Sequence, residues 1–168
     1  MMAREHNEKL IIDEVVIPIE DVVIDLRARD WCKMPYPNHP KGCPNYNQRD
    51  SCPPQAPIWN DYMSGPYILV GVKFYLRGWV DRMRGKHPKW SDRQCRCCLY
   101  WQGKVRKRLR EICEGVRDNH LDSNSFISYC PEAMGVHVFE TCYKNGIKLY
   151  KNPQDFVWKI AIIGDRKL

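Results

Sequence analysis

Cys32, Cys43 and Cys52 are separated by ten and eight intervening residues, in a stretch that offers them little core to be buried in. From Trp31 to Pro57 the chain holds seven prolines (35, 37, 40, 44, 53, 54 and 57) and only isolated apolar residues. Thiolates are the soft ligands that zinc and iron–sulfur clusters take. The spacing is neither the paired C-x-x-C knuckles of a zinc ribbon nor the C-x-x-C-x-x-C run of bacterial ferredoxins. Context adds to it: Gly42-Cys43-Pro44 and Cys52-Pro53-Pro54 set a permissive glycine and backbone-fixing prolines beside two of the thiols, while Cys32 sits between Trp31 and Lys33. Proline at this density excludes a helix or a central strand. A loop this long inside a compact domain needs an organiser, and a metal held by the three thiols is the economical one.

A tetrathiolate site needs a fourth sulfur. The group Cys95-Arg96-Cys97-Cys98 is the first source, because Cys95 and Cys98 share a face at helical spacing while Cys97 points elsewhere. Cys95 is the preferred ligand, since Cys98 also begins an apolar stripe; Cys97, Cys98 and Cys130 are the alternatives. Cys130 precedes Pro131 at a helix start, where the helix dipole favours a thiolate. Cys113 and Cys142 fall on apolar helix faces and read as core. His39, inside the cysteine loop, is the one histidine placed to join a site. The expected cofactor is an iron–sulfur cluster of the 4Fe-4S kind, with zinc as the alternative.

Nine cysteines in 168 residues exceed what a core requires, and in a reducing compartment such a chain points to metal or redox chemistry. The start, Met1 to His6, is polar and lacks the apolar stretch of a secretory signal. The longest apolar run, residues 67–72, is too short for a bilayer, so the expected location is the cytoplasm, with no membrane partner. The net charge is +7. It suits an acidic protein partner docking on Lys104, Arg106, Lys107, Arg108 and Arg110, and less well a nucleic acid. No Walker loop, dinucleotide glycine fingerprint, G-x-S-x-G or H-E-x-x-H occurs, so the common hydrolase, kinase and dehydrogenase chemistries have no foothold.

The elements that must position these residues follow from pattern. Apolar runs at residues 10–12 and 22–25, flanking Pro18, predict two short strands. Residues 67–76 predict a buried strand. Ser91 caps a helix over residues 92–116, whose apolar face is Cys98, Trp101, Val105, Leu109, Ile112 and Val116. A polar turn at residues 117–124 leads to a second helix, from Pro131 to a cap at Asn145-Gly146. Residues 156–163 predict a last strand. The expectation is one domain over residues 1–168, of α+β (or α/β) class: a small mixed sheet, two or three helices, and the cysteine- and proline-rich loop 31–57.

Two segments carry a resemblance. Cys52-Pro53-Pro54 after two spaced cysteines, and the stretch from Pro131 to Thr141 (PEAMGVHVFET) followed by Gly146-Ile147, resemble the signatures of a prokaryotic family of predicted metal-binding proteins known as domain of unknown function 2284. The resemblance runs from about Val22 to the C terminus. It implies a cysteine-bound iron–sulfur cluster and no established reaction. Family members carry a ferredoxin-like cysteine cluster shortly before the second motif. Here residues 119–129 hold no cysteine, leaving Cys130, and His137 stands where the family has aspartate. Three functions remain in view. The first is an iron–sulfur protein serving electron transfer or metalloenzyme maturation within a larger assembly. The second is a cluster-dependent enzyme with an open iron. The third is a zinc-stabilised module binding RNA through the basic face with Trp79, Trp90 and Trp101.

Overall fold

A computed structural model of the chain describes residues 9–36 and 39–168, with the backbone alone at His120. The charged start at residues 1–6 and Pro37 of the cysteine loop lie outside the described residues. Two strands carry the sheet because they are apolar on both sides. In β2 (Met63–Tyr75) and β4 (Phe156–Arg166), Leu69, Val70, Val72, Ala161 and Ile162 are all fully buried, as near-continuous apolar runs require. The order is β1-β2-β4-β3, with β1 at Ile11–Ile19 and β3 at Ser125–Ser128, and every pairing is antiparallel. The last strand in sequence therefore lies in the middle. The class is α+β, as expected, and the sheet is antiparallel throughout.

Pro18 does not divide the first strand. It sits within β1, opposite Ile68, on an edge strand where a missing amide need not break a ladder. Residues 22–25 stay out of the sheet and make one bridge, Ile24 to Val136.

The helices are shorter and more numerous than the two or three expected. The helix predicted over residues 92–116 is interrupted. The Ser91 side chain accepts from Gln94 N and the Gln94 side chain accepts from Ser91 N, capping α3 (Asp92–Arg96). Cys97 then leaves the helical region at φ −54, ψ 117, a 3-10 turn covers Cys98–Tyr100, and α4 (Gln102–His120) starts after Trp101. Trp101 stacks on Phe74 at 4.7 Å, which fixes the break against the sheet. The helix predicted from Pro131 splits likewise: a 3-10 turn at Pro131–Met134 ends at Gly135 with φ 92, and a helix follows at Val138–Lys144. In chain order α1 (Trp59–Tyr62) precedes β2, α2 (Leu76–Lys86) follows it, and α5 is this last helix.

Strand side chains alternate between faces, and each face has its own core. On one, Trp79, Cys95, Val105, Leu109 and Cys113 from α2, α3 and α4 pack on Val70, Val72, Phe74, Ala161 and Ile163. On the other, Trp59, Met134, Val136, Val138 and Cys142 cover Leu69, Ile160 and Ile162. No helix among the described residues is long and apolar enough to cross a membrane.

Candidate metal centre

Cys32 lies in the last turn of a 3-10 segment, Leu26–Lys33, whose start is clamped to residues 135–137. Asp25 N donates to Gly135 O at 2.8 Å, Ile24 bridges Val136, and His137 N donates to Val23 O at 2.8 Å. Gly135 lies so close to Leu26 that a Cβ would stand 2.7 Å from its side chain. The clamp lays the Cys32 segment against the turn that follows Cys130, although 98 positions separate the two thiols in sequence.

Cys43 reaches Cys32 through backbone. Gly42, at φ +87, packs on the Cys32–Lys33 peptide, where a Cβ would stand 2.5 Å from Cys32 O, and Cys43 N donates to that same oxygen at 2.7 Å. Only glycine fits so close an approach at positive φ. Cys52 is held by a chain of turns. Cys52 N donates to Arg49 O, Ala56 N donates to Cys52 O at 2.8 Å, and Asn47 N donates to Pro53 O at 2.7 Å. Arg29 donates to Pro54 O at 2.9 Å, tying this part of the loop back to the Cys32 segment. Pro53, Ala56 and Trp59 are buried, so the loop ends anchored in the core. Where it is described, the long loop is thus a series of hydrogen-bonded turns, tied to the Cys32 segment through Cys43 and Arg29.

The thiols feel one another. Burial, then the neighbouring Cys43, Glu132 and Cys52, push the Cys32 thiol up to about 11. Cys130 is exposed at its surface, yet the protein packed around its thiol and then Glu132 push it up to about 11, with Lys159 opposing and Cys52 and Cys32 adding to the rise. Tyr36 adds a phenol whose pKa is raised by burial and by the nearby Cys43, Cys98 and Cys32. Cys32, Cys43, Cys52 and Cys130 are thus near enough to influence one another's neighbourhood, with Cys32, Cys43 and Cys52 half-buried and Cys130, like Cys98, exposed. Thiols that disfavour each other's ionisation are those a bound cation would stabilise as thiolates.

The donor set bears on which metal fits. Among the described residues no group of three or more histidine, cysteine, aspartate or glutamate side chains closes tightly enough to hold a single metal ion. A zinc site needs every sulfur about 2.3 Å from one atom. An iron–sulfur cluster offers a separate iron to each thiolate and so accepts a wider ring of sulfurs.

Beside them opens a cleft of about 840 Å³, with Cys52 and Cys130 in its wall together with Trp31, Glu132, Lys159 and Arg106. Burial raises the Glu132 carboxyl, with Lys159 opposing the rise. Burial and then Arg106 lower the Lys159 ammonium, against Glu132, Cys130 and Cys98. Trp31 stands edge-on to His137 at 5.2 Å and to Phe139 at 5.9 Å.

The remaining candidates lie elsewhere. Cys95 is fully buried in the core under α4, and its carbonyl accepts from Trp79 Nε1 at 3.1 Å. It takes the core role that the helical stripe had assigned to Cys98, because the helix break at Cys97 turns Cys98 outward. Cys97 is half-buried at the end of α3. Cys113 and Cys142 are fully buried, and burial pushes both thiols up to about 12. His39 packs its ring on Tyr36 at 4.6 Å. His137 caps α5, its Nδ1 accepting from Glu140 N at 3.1 Å, which is the task an aspartate performs at such a position.

The basic face of α4 divides. Arg108 binds Glu14 of β1 at 2.5 and 2.8 Å and Glu111 at 3.3 Å. Arg106 and Arg110 line the cleft, and Lys104 and Lys107 are exposed. Of the tryptophans that might have joined this face, Trp79 and Trp101 are buried in the core, while Trp90 is half-buried and stacks between His87 and Tyr100. Tyr36, Glu132 and Lys159 were not singled out by sequence. Lys159 had a signal, a lone cation inside the apolar run of the last strand. No protein-family model, curated protein or solved structure matches the chain.

Proposed function

We propose that Cys32, Cys43, Cys52 and Cys130 hold an iron–sulfur cluster, and that the protein serves electron transfer or metalloenzyme maturation beside a protein partner. The observation that carries this reading is the backbone packing that draws the segments together: Gly42 and Cys43 sit on Cys32 O, Arg29 ties the Cys52 turn to the Cys32 segment, and the clamp of residues 23–25 on 135–137 lays the turn after Cys130 against it. Cys130 replaces Cys95 as the fourth ligand in this proposal because Cys95 is enclosed by the core of the other face. The resemblance of the Cys52-Pro53-Pro54 and PEAMGV segments to a predicted metal-binding family supports the same chemistry. When bound, the cluster supplies one-electron redox capacity. The chain's own groups do the rest. Gly42 holds two ligands side by side, the turns around Cys52 fix the third, and the clamp between residues 23–25 and 135–137 brings in the fourth. Lys159 and Arg106 place positive charge beside a centre that four thiolates make anionic.

A second reading, a cluster-dependent enzyme, is favoured by the cleft itself, whose volume of about 840 Å³ is that of a small-molecule site and whose wall includes two of the four thiols. The two readings separate on one experiment. Anaerobic protein is analysed for iron and sulfide, and the Cys130→Ser variant is compared with wild type. Loss of most iron makes Cys130 a ligand and supports the first reading. Retention of iron leaves three ligands and an open position, as the second requires.

A further inference from the structure

The central strand β4 spans Phe156–Arg166, but β3 pairs only with its stretch from Ile162 to Asp165. Along residues 156–161 it has β2 on one side and, among the described residues, no strand on the other. The cleft follows this free edge: Phe156, Val157, Trp158, Lys159 and Ile160 line it in unbroken succession. Successive strand side chains point to opposite faces. A cleft touched by consecutive residues therefore runs along the edge of the strand and opens onto both faces.

The two faces differ in character. On the α4 side Lys159 lies near Arg106, and Arg110 follows one helical turn on along the same wall. On the other side Trp158 and Ile160 share the apolar core with Val138 and Leu149, which also line the cleft, and the Lys73 ammonium caps that face over the Phe156 and Trp158 rings at 4.6 and 5.6 Å. Glu132 supplies the one carboxylate among the lining residues, and Lys159 opposes it. An unpaired strand edge offers backbone donors and acceptors to an added strand. The period of a strand would then set every second side chain against the cations and the others against the apolar face.

We propose that this edge receives an extended acidic segment of a partner protein as an additional strand, with carboxylates alternating toward α4 and apolar side chains toward Trp158. The inference rests on the reading of the chain as one that serves a protein partner, and it does not depend on iron. Single-stranded RNA would also meet cations and rings here, but its recognition by charge and stacking leaves the β4 backbone unpaired.

The test uses an alternating valine–glutamate peptide, blocked at both ends, with the full chain purified anaerobically. Hydrogen exchange should slow at amides within residues 156–161 on peptide addition. Changing Arg106 and Arg110 together to glutamate should weaken binding about tenfold, in a salt-dependent way. A peptide N-methylated at every second residue should not bind, which tests backbone pairing without altering the protein. Equal binding of the N-methylated peptide, or binding with no protection in β4, overturns the proposal. So does tight, arginine-dependent binding of oligouridylate where the peptide fails to bind. Iron is measured on the same sample: peptide binding without iron overturns the cluster reading and leaves this one standing.

Discussion

At Gly42 the backbone is at φ +87 and a Cβ would meet Cys32 O at 2.5 Å, so alanine there must shift one ligand segment against another. Gly42→Ala should lower stability by about 1–3 kcal/mol in urea unfolding and reduce bound iron in the same preparation. Gly85 is the control. It lies in α2 with nothing within 4 Å of an added Cβ, and Gly85→Ala should stabilise by roughly 0.5–1 kcal/mol without touching metal content. His137 offers a second test. Its Nδ1 caps α5, so His137→Ala should cost about 1 kcal/mol while His137→Asp should keep the cap, as thermal unfolding of the three proteins will show. Residue types alone singled out the loop trio as candidates, because thiols in a proline-rich stretch have no core to occupy. Cys130 could not be ranked above Cys95 that way. Its approach to Cys32 depends on the bridge from Ile24 to Val136, a contact between segments more than a hundred positions apart.

Among the elements, α4 is joined to the edge strand β1 by the pair of Arg108 and Glu14. The hydrogen bond from Arg108 holds the Glu14 carboxyl below its ordinary value of 4.5. A carboxyl depressed in the folded state contributes stability above its unfolded pKa and loses it as pH falls through the folded one. Glu14→Gln should therefore cost less than about 1 kcal/mol near neutrality, the pair being partly exposed. The difference from wild type should shrink to nothing as the pH drops below 4.5; denaturant titrations at several pH values measure both. The legible elements were those with a long apolar signature: β2, β4 and the α4 stripe of Val105, Leu109, Ile112 and Val116. The strand β3 is only Ser125–Ser128, too short for a period to declare itself. The helix α2 has Leu76, Trp79, Val80 and Met83 at helical spacing, but two glycines and its basic residues obscured them. The break between α3 and α4 had no local signal, since Trp101 starts the second helix by stacking on Phe74 of the sheet.

Across the whole molecule one sheet separates two cores, and the thiols divide with them. Cys95 and Cys113 serve one core and Cys142 the other, while Cys52 and Cys130 line the cleft along the open edge of β4 and Cys43 packs against the Cys32 backbone. The basic charge divides too, with Arg106, Arg110 and Lys159 turned to that edge and Arg108 spent on Glu14. Composition foretold a cysteine-rich, basic α+β chain. It could not foretell that the last strand would lie in the middle and leave half its length uncovered, because strand order is set by pairing partners distant in sequence. The central claim is that four particular thiols act as one site, and the direct measurement is iron and acid-labile sulfide per chain after anaerobic purification. It is made for wild type, for single serine variants of Cys32, Cys43, Cys52 and Cys130, and for Cys95→Ala. The account predicts iron and sulfide in wild type and Cys95→Ala, and loss of most of both in each of the four serine variants. Iron retained in Cys130→Ser, iron lost in Cys95→Ala, or no iron in wild type, would each contradict it.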